Sequence, residues 1–433
     1  MAAELTDLHL ADLHQRAAAA EISGYRKLGR AELIEVLESV PGGPAPSDEA
    51  DTDEIDAVAI EATALDDANA EPVELGPMGA EGGGEDERDV TEPVRGVLEL
   101  TRQRYGFLRV SGLAPGDEDV YVSASQVRRC ELRPADEVDG PARKPRRGER
   151  HRALVHVDSV NGVEPQVEDR PEFEALAPVV PERRIPLRER ADTLARAVDL
   201  LAPLAFGQRV LVRAAARSGR TTLLRSLARA AAAAENARVI VLLIDEAPEE
   251  ATAWREALPV AEFAVATADL APVEQVRTAE LALERARRHA EVGADAVLVC
   301  DSLSRLAFAA GDAAEVKRLF GSGRNLAGGG SLTVLATVLA DARDEGEAER
   351  AEITTESSLV VLDPELAAAG VHPAVRAAEC RASNEDQLRD PSELDGARHL
   401  RSLLVDLDPA AAAALLRERI EATASNSDLL SSL

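Results

Sequence analysis

The sequence predicts a multidomain chain: a small helical domain, then an all-β barrel, then a larger α/β domain built on a mostly parallel sheet. Three observations carry this. Short β-rich runs separated by Gly, Pro and Asp crowd residues 94–160, "RGVLEL", "YGFLRV", "DVYVSA", "DEVDGPAR" and "RALVHVDSV", at the spacing of a small barrel. From about Leu187 onward apolar strands alternate with helical runs, an order that implies parallel βαβ units. Between the first of those strands and its helix lies "AAARSGRT", which follows the outline of a phosphate-binding loop.

Taken in order, residues 1–40 hold Leu5, Leu8, Leu10 and Leu13 and then "LGRAELIEVLESV". That spacing is helical, with a Gly-Tyr break at Gly24 and Tyr25. Residues 41–92 contain 17 Asp plus Glu against the single Arg88, a net of −16 and about half of the chain's −30. With so little apolar surface to offset its chain entropy, this stretch is expected to be a disordered acidic linker. The barrel is assigned to residues 93–168. Over 93–160 the balance reverses, 13 Lys plus Arg against 10 Asp plus Glu, a net of +3, so a locally basic module follows the acidic one. The α/β domain is assigned to 169–433, with strands "RVLVRA", "ARVIVLLID", "AEFAVAT", "ADAVLVCD" and "SLTVLATVLA" and with "SSLVVLD" as a further edge. Its first helix is expected to begin at Thr222.

Composition excludes several classes. No run of 18 or more uncharged apolar residues occurs, and Met1 opens onto "AAELTDLHLADL" without a basic flank or an apolar core. A cytoplasmic protein with no membrane partner is therefore expected. Cys130, Cys300 and Cys380 are far apart and lack C-x-x-C spacing, so inert thiols are expected in place of disulfides or a zinc site.

Two constellations carry chemistry. In "RYGFLRV", Tyr105, Phe107 and Arg109 fall on one strand face, and Tyr121 adds a third ring with Arg128 and Arg129 at the rim. Rings in a small barrel can simply fill its core. The whole chain has only ten aromatic residues, however, and three crowded beside arginines favour a stacking platform for unpaired RNA bases. In the α/β domain the phosphate-loop outline runs from Ala214, where the motif has its first glycine, through Ala215, Ala216, Arg217 and Ser218 to Gly219, Arg220 and Thr221, with Thr222 following. Gly219 and Thr221 fit. The lysine that reaches the β- and γ-phosphates is replaced by Arg220. Glu246 and Asp301 close their strands, where carboxylates beside such a loop hold Mg²⁺ through water or activate the attacking water.

The order of these motifs resembles the bacterial transcription termination factor Rho family. "YGFLR", "DVYVSASQVRR", "GERHRALVHVDSVNG", "VLLIDEAPEE", "DSLSRLA" and "GGSLTVLATVL" carry the resemblance over nearly the whole chain. It implies an OB/cold-shock-like RNA-binding barrel and a RecA-like ATPase domain. It also implies a hexameric ring that loads on single-stranded RNA and uses ATP and Mg²⁺, as a helicase and hydrolase, to act on RNA polymerase indirectly. Residue by residue, Tyr105, Phe107, Arg109, Tyr121 and Glu149, with Arg150 beside it, match the RNA site. The resemblance places Gly219, Arg220 and Thr221 in the phosphate loop and makes Glu246 the catalytic base. It further makes Asp301, with Thr221, the Mg²⁺ side of the site and sets Arg305 in the D-S-[IL]-[ST]-R-L motif.

The departures concentrate in the nucleotide and translocation machinery. The family's A-P-P-K-A-G-K-T loop is "AAARSGRT" here, with Arg217 and Arg220 for both lysines. The adenine-stacking Phe is His372, and the arginine finger position is Ser383. The channel loop before "KRLFGSGRN" is shortened, and the second one reads "DARDEGEAERAE", an acidic loop that would repel a phosphate backbone. Three readings follow from the resemblance and these departures from it. The first is a Rho-like RNA-binding ring protein with a degenerate nucleotide site, a homo-hexamer or a mixed ring with an intact Rho that it modulates. The second is a fully active RNA-dependent ATPase and translocase. The third is an interaction protein with neither activity, against which the barrel aromatics speak.

Overall fold

The computed structural model describes residues 91–165, 170–187, 192–328, 330–339 and 355–433. The predicted helical domain, nearly all of the acidic linker and the acidic second channel loop lie outside the described residues. Strands β1 (Thr91–Leu100), β2 (Gly106–Arg109), β3 (Val120–Val122), β4 (Glu137–Arg143), β5 (Arg152–Leu154) and β6 (Ser159–Val160) form one sheet in the order β1-β2-β3-β5-β4-β6. The sheet closes because β1 also pairs antiparallel with β4. Closure surrounds a core of Leu98, Leu108, Val120, Val122, Val138, Leu154 and Val160. Gly140 permits the closure, since a Cβ there would stand 2.2 Å from the His156 carbonyl oxygen. β1 begins at Thr91, inside the stretch assigned to the linker, because Thr91 and Glu92 pair with Arg143 and Ala142.

In the α/β domain the strands are β7 (Pro178–Val179), β8 (Arg209–Ala214), β9 (Ala237–Glu246), β10 (Glu262–Thr267), β11 (Asp295–Asp301), β12 (Arg324–Leu326), β13 (Ser331–Leu339), β14 (Ser358–Val361) and β15 (Arg381–Ala382). The main path runs β10-β9-β11-β13-β8-β14-β15, parallel throughout except for β15. β14, expected as the edge, is therefore interior by one strand. Both faces of the sheet are covered, which is why its strands read as near-continuous apolar runs. Side chains alternate between two cores. Val239, Val241 and Leu243 of β9 point into one, and Ile240, Leu242 and Ile244 into the other.

The first core is covered by helices that include Thr193–Leu201, Arg220–Ala232, Pro391–Leu404 and Pro409–Glu421. The second is covered by Pro272–Glu291, Leu303–Ala310 and Ala314–Gly321. Val97, Leu113 and Ala135 of the barrel join the second core, and the Leu113 N–H donates to the Phe263 carbonyl at 3.2 Å. Arg285 ties Glu137 of the barrel to Glu262 of β10, 2.7 Å to each. Barrel and α/β domain thus belong to one compact unit. Among the described residues no helix is long and apolar enough to cross a membrane.

Candidate functional site

On the barrel, β2 and β3 pair so that Phe107 stands opposite Tyr121. Cross-strand rings at such a position lie within contact distance. Their centroids are 6.0 Å apart, and Tyr105 completes a triangle at 5.9 Å from Phe107 and 5.6 Å from Tyr121. All three remain at least partly exposed. Partial burial, and then the neighbouring Tyr105, push the Tyr121 hydroxyl above its ordinary pKa. A fourth ring, His151, lies 5.1 Å from Phe107. The sequence reading missed His151, because it sits outside any strand, just before β5. Only the pairing of β5 beside β3 brings it to the platform. The available signal was its place in "GERHR", between two arginines.

Arg109 differs from expectation. It shares the face of Phe107, with its guanidinium 5.8 Å from the ring centroid, but it is buried and not open to phosphate. Two carboxylates account for this. Glu99 accepts from Nε at 2.7 Å, and Asp119 accepts from Nη1. Arg128 and Arg129 are exposed in the last turn of the helix Ala124–Arg129, which a Ser123–Gln126 capping box starts. Glu149 accepts from both terminal nitrogens of Arg143 at 2.6 and 2.7 Å and from the Arg146 N–H at 2.9 Å. The Arg143 hydrogen bond above all brings its carboxyl down to about 2. Glu149 therefore orders the basic loop as a carboxylate, and Arg150 is exposed beside it.

The second site lies at the carboxyl ends of β8, β9 and β11. After Ala214 the chain turns through Arg217 at φ +62° and Gly219 at φ +93°, and the helix starts at Arg220, two residues before the expected Thr222. Gly219 is the N-cap with no side-chain cap bond. The first-turn N–H groups, which have no intrahelical acceptor, are left facing the loop, an arrangement suited to phosphate. Ser218 ties the loop by donating from Oγ to the Ala215 carbonyl at 2.8 Å. Ala214, Ala215 and Ser218 are buried, Thr221 is half-buried, and Ala216, Arg217 and Thr222 are exposed.

Arg220 lies between the carboxylates that close β9 and β11. Its Nη2 lies 3.1 Å from Glu246 Oε1 and its Nε lies 3.1 Å from Asp301 Oδ1. Glu246 is also paired with Arg305, whose Nη1 donates to the Ile244 carbonyl at 3.3 Å. A bulge at the end of the β9–β10 pairing sets Asp245 outward at φ +53° and turns Glu246 in. Burial, and then the charge on Asp301, raise the Glu246 carboxyl above its ordinary range, against Arg305 and Arg220. Asp301 accepts from Thr337 Oγ1 at 3.1 Å through Oδ1, while its buried Oδ2 has no partner.

The loop fits nucleotide phosphates. The hydroxyl of Thr221 and the Asp301 Oδ2, which makes no hydrogen bond, are of the types that would hold a divalent cation, which would supply charge neutralisation there. Arg220 spans the two carboxylates, Glu246 and Asp301. His372 is exposed after the helix Pro364–Ala368, and Ser383 is exposed just past β15. Cys300 and Cys380 are buried, and burial pushes both thiols up, Cys380 to about 11.

Residues 94–166 match the family described as Rho termination factor, RNA-binding domain. Residues 195–321 match the ATP synthase alpha/beta family, nucleotide-binding domain. The transcription termination factor Rho of Bacillus subtilis is 37% identical over 337 residues, covering 72% of this chain and 78% of that protein. That of Aquifex aeolicus is 34% identical over 367 residues, covering 78% and 84%. That of Streptomyces lividans is 37% identical over 370 residues. The match takes in 79% of this chain but 52% of that protein, so the chain spans about half of its length.

Proposed function

The chain belongs to the transcription termination factor Rho family, and from that premise we propose that it is an RNA-binding member whose nucleotide site no longer turns over ATP. The barrel takes unpaired bases of single-stranded RNA on Tyr105, Phe107, Tyr121 and His151. Arg128, Arg129 and Arg150 face the phosphates. The α/β domain holds a nucleotide weakly on the 214–222 loop.

One observation carries the reading: Arg220 bridges Glu246 and Asp301. An ammonium at this place is a point charge on a flexible stem, whereas a guanidinium is a planar fork that engages carboxylates in a fixed geometry. Arg220 therefore spends its donors on the two groups that hydrolysis needs free. Ser383 supplies no charge to a neighbouring subunit, a contribution typically worth about 10³–10⁵ in rate. A cytoplasmic homo-hexamer, or a mixed ring with an intact Rho, acting on nascent RNA and only indirectly on RNA polymerase, is the setting in which such a chain would work.

A second reading, active hydrolysis, is favoured by one feature, the Asp301 Oδ2 left without a hydrogen bond at the carboxyl end of β11. Titration with a fluorescent ATP analogue in the presence of oligocytidylate, with phosphate release followed in the same sample, separates the two. Saturable weak binding without release supports the degenerate site. Release that stops on Glu246→Ala supports the active one.

A further inference from the structure

We propose that Arg277, contributed by the α/β domain, is a positioning residue for RNA binding by the barrel. The inference rests on reading the barrel face as the RNA site. Beneath Phe107 lies a buried cluster of Arg109, Glu99 and Asp119. Counted alone, these groups carry one positive and two negative charges. A net negative charge held in low dielectric under a platform meant for a polyanion is costly in itself and repels the ligand.

A second cation comes from the neighbouring domain. Arg277, on the helix Pro272–Glu291, reaches across the domain boundary and sets its guanidinium against Oε1 of Glu99, the oxygen that Arg109 Nε does not use and that makes no hydrogen bond. The cluster then sums to zero. With a cation on either side of Glu99, the Arg109 guanidinium stays over the Phe107 ring at 5.8 Å from its centroid. Glu99 is 8% exposed and Arg277 52% exposed, so loss of Arg277 exposes no core. It leaves Glu99 half-compensated and the guanidinium of Arg109 free to tilt toward Asp119. The RNA face is thus completed by the neighbouring domain.

The test is the affinity of the full-length chain for a labelled oligocytidylate, measured for Arg277→Gln, Arg277→Lys, Glu99→Gln and the Glu99/Arg277 double variant, with Phe107→Ala as the reference. Arg277→Gln should weaken binding about tenfold, as expected for loss of one charge-assisted contact to a buried carboxylate. Arg277→Lys should bind like the parent, because it restores the charge. Once Glu99 is Gln, Arg277→Gln should have no further effect. Thermal melting of Arg277→Gln should fall, because Glu99 is left buried and half-compensated, and its binding is therefore measured well below its melting temperature, which separates positioning from folding. Parental affinity for Arg277→Gln, or an undiminished effect in the Glu99→Gln background, would overturn the proposal. The double-variant comparison decides the matter even where a single variant melts early. If Phe107→Ala also binds like the parent, the failure lies in the RNA reading of the barrel itself; if Phe107→Ala is impaired, it lies with Arg277 alone.

Discussion

Replacing Arg220 with alanine removes one of the two guanidinium groups that hold Glu246 and Asp301. The cluster then has one cation against two carboxylates. Side-chain exposure is 13% for Arg220, 11% for Glu246 and 1% for Asp301, so a stranded charge cannot rehydrate without opening the site. Removing one partner of a buried pair costs about 3–5 kcal/mol. Two contacts of 3.1 Å are lost at once, which places the expected loss in that range. The assay is urea unfolding followed by the fluorescence of Trp254, the single tryptophan, which is fully buried in the α/β domain with Arg225 5.3 Å from its ring.

The effect has a defined pH dependence. Glu246 is held above its ordinary value of 4.5 by burial and by Asp301 even in the parent, and loss of Arg220 raises it further. A carboxyl that binds its proton more tightly when folded costs stability above its folded pKa, and the cost disappears as pH falls toward the unfolded value. The Arg220→Ala deficit should therefore be full near neutrality and shrink as pH falls into the acid range, where Glu246 takes up a proton. Arg220→Lys should retain most of the parental stability. A deficit below about 1 kcal/mol at neutral pH, the size of an exposed ion pair, would refute the claim that Arg220 neutralises the carboxylates.

Three further outcomes are expected. Phe107→Ala should weaken oligocytidylate binding about 5- to 150-fold in an anisotropy titration, since stacking is worth about 1–3 kcal/mol per base; unchanged binding would remove the platform. Glu262 ionises despite burial, because the His289 hydrogen bond and Arg285 bring it to about 2. Its contribution is present above 4.5 and lost as pH falls through 2, so Glu262→Gln should be less stable than the parent near neutrality and converge with it in acid. Parallel stability curves would contradict this. Deleting residues 41–89 should raise RNA affinity in dilute buffer and leave it unchanged at about 1 M salt, where the Debye length is about 3 Å; equal gains at both salts would show that the charge of the segment is not the cause.

The strands were legible because burial on both faces forces near-continuous apolar runs: β8 and β11 fall within a residue of "RVLVRA" and "ADAVLVCD". The phosphate loop was legible because its backbone needs a glycine at positive φ, which Gly219 supplies. What sequence could not show is pairing across the fold. Arg109 reads as an exposed cation on an aromatic face, and only the positions of Glu99 and Asp119 bury it. His151 reaches the platform through strand pairing, and Arg277 reaches the buried Glu99 through domain packing, neither of which leaves a local periodicity. The substitution at Arg220 was visible as a letter, but its grip on Glu246 and Asp301 depends on the ends of β9 and β11 meeting the loop after β8.

The central claim, an RNA-binding Rho-family chain with a silent nucleotide site, is tested most directly by steady-state phosphate release from ATP and Mg²⁺ with polycytidylate at saturation. The account predicts release no faster than that of the Glu246→Ala variant, for the parent and also for Arg220→Lys and Ser383→Arg taken singly, since each leaves the other loss in place. Turnover within about tenfold of the typical enzyme median of about 10 s⁻¹, abolished by Glu246→Ala, would contradict it.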